Sequence, residues 1–235
     1  MDQSIAGFAP AAAPRRFRRD WALTVVWPGL GCSAVAVAMI GDDLRLEDAG
    51  IIFLLGMPAI FWFAVGLLQA RLLGGLIERP LGWALATGAG GSFALIGGFA
   101  VFAALTVLVD VISGAGYDFA HPLALIPFGL GGAIAGAILG FFQTLSLRVP
   151  GRARRMWLGG STVAGALAFF LLCAGVNAMA LVSGQGLFDL APRLFFAAAA
   201  ALLLAGALLH NFLMGLGLQR LLAWAIYLGP RFPRI

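Results

Sequence analysis

Six apolar stretches, each long enough to cross a bilayer, are cut from this chain of 235 residues by arginines and turn residues. They run from Trp21 to Ile40, Gly50 to Ala70, Leu81 to Val109, Leu123 to Leu147, Met156 to Val182 and Pro192 to Leu218. A hydrocarbon core of about 30 Å needs roughly 20 residues of helix at about 1.5 Å each. Backbone groups in lipid must find their partners within the segment, so runs this long and this poor in alternation are helices, not strands of a barrel. The fold class this predicts is all-α, an integral membrane bundle of six transmembrane helices. Composition agrees: 62% of residues are hydrophobic and 11% charged, against about 45–50% and about 25% in soluble domains. A soluble globular fold is excluded on that balance.

The arginines give the bundle a direction. All fifteen basic residues are Arg. With a cytoplasmic N-terminus, the inner regions hold Arg15, Arg16, Arg18, Arg19, Arg71, Arg79, Arg148, Arg152, Arg154, Arg155, Arg220, Arg231 and Arg234, leaving only Arg45 and Arg193 outside. The positive-inside bias therefore predicts a multi-pass protein of a bacterial inner membrane with both termini cytoplasmic. Asp42, Asp43, Glu47, Asp48, Asp110, Asp118 and Asp189 fall on the outer side. A net charge of +5 raises nucleic acid as a partner, but no soluble module with a basic face and stacking aromatics accompanies it. The expected partners are the lipid bilayer and other membrane protein subunits.

Three regions follow. Residues 1–20 read as a disordered basic tail, with Arg15 to Arg19 against anionic head groups. Residues 21–218 form the transmembrane domain. Residues 219–235, with Trp224 and Tyr227, read as an interfacial C-terminal segment. A competing reading takes the first apolar run as a signal peptide cleaved after Ala36-Val37-Ala38; its length of 20 residues favours a retained span.

A repeat underlies the six segments. Each outward-going helix starts with basic residues and an interfacial Trp: Arg18-Arg19-Asp20-Trp21, Arg79-Pro80-Leu81-Gly82-Trp83 and Arg154-Arg155-Met156-Trp157. Each returning helix ends on Gly and Gln: Gly66-Leu67-Leu68-Gln69, Gly140-Phe141-Phe142-Gln143 and the looser Gly215-Leu216-Gly217-Leu218-Gln219. A unit with an even number of spans keeps its orientation, so the repeat predicts three parallel hairpins with pseudo-threefold symmetry about the membrane normal.

The pieces Val65-Gly66-Leu67-Leu68-Gln69-Ala70 and Leu139-Gly140-Phe141-Phe142-Gln143 to Arg148, each followed by basic residues, Trp and a Gly/Ala-rich helix, resemble a group of bacterial polytopic membrane proteins of unassigned function. In those a Gly-x-x-Gln-Trp-like helix end recurs; here Ala70 and Thr144 stand where that pattern has Trp. The resemblance covers four of the six helices and implies no activity.

Helices in lipid associate through close packing and interhelical hydrogen bonds, which places small residues at contacts. Gly132, Gly136 and Gly140 recur every four residues on the fourth segment, as Ala86, Gly90, Ala94 and Gly98 do on the third. Gln143 lies about 20° from the direction of Gly136, so it shares that packing face. Gln69, Gln143 and Gln219 then have two readings. Either each amide bonds to a neighbouring helix, or the three form a polar ring at the cytoplasmic mouth of a passage.

No charged residue stands at mid-depth of any segment, which argues against a proton- or sodium-coupled carrier. His210, beside Asn211, is the candidate ligand for a haem or chlorin pigment; the bland reading has it bonding a neighbouring helix. The only other histidine, His121, lies at an outer edge, so no cofactor is expected. Cys32 and Cys173 lack the spacing of a metal or redox motif and read as packing thiols. Asp42-Asp43-Leu44-Arg45-Leu46-Glu47-Asp48 has Leu46 where a prenyl-transferase motif has Asp, and reads as a solvated loop. No zinc helix, nucleophile elbow or phosphate loop is present. The sequence thus predicts no catalytic residues, no metal site and no enzyme. It points to a structural or accessory subunit of a membrane assembly, with a passive transporter or channel for a small or lipid-like solute as the alternative.

Overall fold

The computed structural model describes residues 14–32, 56–73, 77, 79–114, 125–147, 151–183, 201 and 204–217. Among these residues the chain is helical apart from turns and one antiparallel bridge between Ile77 and Leu147. In chain order the helices are α1 (Pro14–Leu23), α2 (Met57–Leu73), α3 (Pro80–Ser113), α4 (Leu125–Thr144), α5 (Gly151–Ser183) and α6 (Leu204–Gly217). Two of them are long and apolar enough to cross a membrane, over Pro80–Ile112 and Leu125–Thr144.

Local chemistry sets the helix ends. α1 starts at Pro14, inside the stretch expected as a tail, because a proline tolerates the first turn and the arginines that follow are good helix formers. It breaks at Thr24 and Val25 and resumes over 26–32. Pro28 supplies the cause: it has no N–H to donate to the carbonyl of Thr24, four residues back. Thr24 turns instead on the carbonyl of Trp21, giving it both its N–H (3.2 Å) and its hydroxyl (2.7 Å). The single uninterrupted span expected from Trp21 is therefore divided at Thr24. Pro80 opens α3 after an extended Arg79, and Gly114 closes it at φ 62°, a left-handed cap whose N–H reaches the Asp110 carbonyl at 3.0 Å.

α3 has 34 residues and α5 has 33, so each is about 50 Å long, well beyond a hydrocarbon thickness of about 30 Å. α5 begins at Gly151, five residues before the expected start, and so carries Arg152, Arg154 and Arg155 on its first turns. Buried Ala153 and a hydrogen bond of 3.1 Å from Arg154 Nη2 to the Leu147 carbonyl tie that turn to the preceding loop.

α2 packs on α3, α3 on α4 and α4 on α5. α6 lies against α5 through Gly206 and Ala168, and against α1 through Gly215 and Trp21, so the last helix returns to the first. At one pole, where α3 and α5 begin and α1, α2 and α4 end, a core gathers Trp21, Leu73, Ile77, Trp83, Leu147, Trp157 and Met214. The exposed Arg19, Arg71, Arg79, Arg152, Arg154 and Arg155 surround that pole. A second, smaller core of Ala94, Ala135 and Leu139 sits between α3 and α4, with Trp62, Ile138 and Phe169 against it. Phe93, Ile96, Phe99, Val107, Val111 and Ile112 of α3 are exposed, an apolar outer face on one of the two helices long enough to cross a membrane.

Candidate functional site

Much of the polar chemistry of the interior gathers around two seams, α4–α5 and α2–α3. On the α4–α5 seam, glycine brings the backbones together. A Cβ at Gly136 would overlap the Ser161 carbonyl, and one at Gly140 would lie 2.7 Å from the Ser161 Cβ. At Gly132 the obstacles would be the Gly165 carbonyl and Phe169. Closeness lets Ser161 Oγ donate to the Gly136 carbonyl at 2.7 Å. Two turns further along α4, Gln143 uses both ends of its amide: Nε2 donates to Thr87 Oγ1 at 3.4 Å, and Oε1 accepts from Trp157 Nε1 at 3.2 Å. Gln143 thereby links α3, α4 and α5, and is almost fully buried.

The α2–α3 seam repeats this contact 74 residues earlier. A Cβ at Gly66 would meet Ala84 Cα at 2.8 Å and Thr87 Cβ at 2.9 Å, as Gly140 meets Leu158 and Ser161. Gly91 faces Trp62 where Gly165 faces Gly136. The side-chain bonding differs. Gln69 is as buried as Gln143, but its Nε2 donates to Asn211 Oδ1 of α6 at 3.4 Å, and Asn211 Nδ2 donates on to Thr24 Oγ1 at 3.1 Å. Gln69 Oε1 and Trp83 Nε1, the counterparts of the bonded Gln143 Oε1 and Trp157 Nε1, are both buried without a partner.

The third copy is visible in part. Gly215 packs on Trp21, with a built Cβ 3.2 Å from the indole Cδ1; Gln219 lies outside the described residues. His210, fully enclosed, places Nε2 3.4 Å from Ser161 Oγ and its ring edge-on to Trp62, with centroids 6.3 Å apart. Ser161 gives its proton to Gly136, so the consistent tautomer has His210 Nε2–H donating to Ser161 and Nδ1 as a bare acceptor. The nitrogen that commonly ligates a haem thus faces Ser161 of α5 in this arrangement. Gly90 and Gly98 act on the α3–α4 contact: Gly90 faces Phe142, and Gly98 faces Ala135 and the Gly131 carbonyl. Cys32 is a free, half-buried thiol, and the Cys173 side chain lies outside the described residues.

Trp21, Trp83 and Trp157, expected at the membrane interface, are buried between helices at the arginine-bearing pole. Each is 2% exposed or less, and Trp157 meets Trp21 edge-on at 6.2 Å and Trp83 at 6.0 Å. They are mutual packing partners at the centre of the pole, in the edge-on geometry that aromatic pairs prefer. A signal for this was present in the chain. A hydroxyl residue follows each Trp by one turn, as Thr24, Thr87 and Ser161, and all three hydroxyls bond between helices. An indole anchored only in head groups has no need of a polar residue one turn deeper.

No protein-family model, curated protein or solved structure matches the chain.

Proposed function

We propose that the chain is a multi-pass protein of a bacterial inner membrane, with six spans arranged as three parallel hairpins and both termini cytoplasmic, serving as a structural or accessory subunit of a membrane assembly. It carries no catalytic site and no cofactor in this reading. One observation supports it above the others: the middle of the arginine-bearing pole is filled by three indoles in edge contact, each essentially unexposed. A passage running past the Gln residues would have to cross that cluster. Both Gln amides described make bonds between helices, which supports the first of the two readings open to them. Recurrence of the glycine contacts at an interval of 74 residues supports the hairpin repeat, and the arginines around one pole support its orientation.

Purification in a mild detergent tests the reading. A subunit of an assembly brings the same membrane partner through successive columns, and its reconstitution into liposomes leaves the leak of small solutes unchanged. Purification alone together with a raised leak favours the transporter instead.

A further inference from the structure

We propose that the Gln69 amide has two settings, one tied to Asn211 and one closed onto Trp83, and that Asn211 is the latch selecting between them. The repeat carries the argument. Gln69 and Gln143, Trp83 and Trp157, and Gly66 and Gly140 each stand 74 residues apart, and the glycines make equivalent backbone contacts, so Gln69 and Trp83 occupy the positions in which Gln143 and Trp157 are bonded. Yet among the described residues Gln69 Oε1 and Trp83 Nε1 are both buried without a hydrogen-bond partner. One is an acceptor and the other a donor, so a turn of one side chain satisfies both.

What keeps them apart is Asn211. It stands four residues before Gly215; the residues four before Gly66 and Gly140 are Trp62 and Gly136, neither of which offers an amide. Gln143 reaches its hydroxyl partner Thr87 directly, whereas Gln69 reaches Thr24 only through Asn211. In the latched setting, α2 is bonded to α6 and onward to α1. In the closed setting, α2 is bonded to α3, and Asn211 keeps only Thr24. The docking of α6 and the tightness of the α2–α3 seam are thereby coupled, because one amide serves both and any ligand or partner that favours one setting draws population from the other.

Indole N–H resonances of the full ¹⁵N-labelled chain in detergent micelles, assigned by single Trp→Phe variants, read the setting directly. Trp157 provides the bonded reference. In the wild type, the Trp83 signal lies apart from that of Trp157 and does not move in Gln69→Leu. In Asn211→Leu it moves to the bonded position, and adding Gln69→Leu reverses the move. Asn211→Ser, which shortens the side chain while keeping a polar group, gives the same displacement should the leucine variant not fold. A Trp83 signal that already shifts in Gln69→Leu alone overturns the latch, as does one that stays in place in both Asn211 variants.

Discussion

The α4–α5 and α2–α3 seams have one backbone plan and two chemistries. In both, a glycine lets a returning helix lie on the next outgoing helix, and a glutamine follows three residues later. In the first the glutamine satisfies a hydroxyl and an indole at once; in the second it is drawn to a third helix and leaves the indole unpaired. Backbone fit is thus set by the repeat, whereas polar fit depends on what the rest of the bundle offers. The α4–α5 seam should be the stiffer of the two, and the most sensitive to change.

The largest effect expected is at Gly136, where a side chain would run into the Ser161 carbonyl. Overpacking ordinarily costs about 1–3 kcal/mol; here the obstacle is backbone, which cannot swing aside, so Gly136→Leu should yield little folded protein by size exclusion in detergent. A monodisperse variant with unchanged thermal unfolding would mean that the helices do not approach as described. Next is Trp157→Ala, which removes the indole touching both others and should cost about 3–5 kcal/mol, read as a lowered unfolding midpoint in micelles.

A finer comparison of the seams comes from Trp→Phe changes, which keep the ring and delete the N–H. Trp157→Phe strands Gln143 Oε1 in a buried site, at about 1–3 kcal/mol. Trp83→Phe deletes a donor that has no partner and should cost much less. Equal losses in the two variants would erase the distinction between the seams.

Much of this interior could be read in the chain, and the failures are instructive. Helix existence was legible because apolar runs this long and this poor in alternation fit helices and not strands. Gly136 and Gln143 could be put on one face because helical geometry fixes their relative direction. Two features escaped. The burial of Trp21, Trp83 and Trp157 is hidden because an indole beside arginine suits a head-group boundary as well as a packed centre, and only the hydroxyl one turn on separates the cases. Asn211 escaped because its partners Gln69 and Thr24 are 142 and 187 residues away, and no local pattern records a pairing between distant helices. The break in α1 was in principle readable from Pro28, whose missing N–H acts four residues upstream.

The smallest expected effect is on a glycine outside both seams. Gly159 lies on α5 between the buried Trp157 and Ser161, yet a Cβ built on it meets nothing within 4 Å. Alanine there adds no clash and lowers the chain entropy lost in forming a helix, a difference of about 0.8–1.0 kcal/mol in peptides. Gly159→Ala should therefore leave unfolding unchanged or raise its midpoint slightly. Gly140→Ala on the same helix pair should lower it, since that Cβ would come within 2.7 Å of the Ser161 Cβ. The sign of the pair matters more than its size. Glycine is costly within a helix and is retained at Gly140 because a neighbour occupies the space, so a loss at Gly159 matching that at Gly140 would show that something also packs on the outer face of α5.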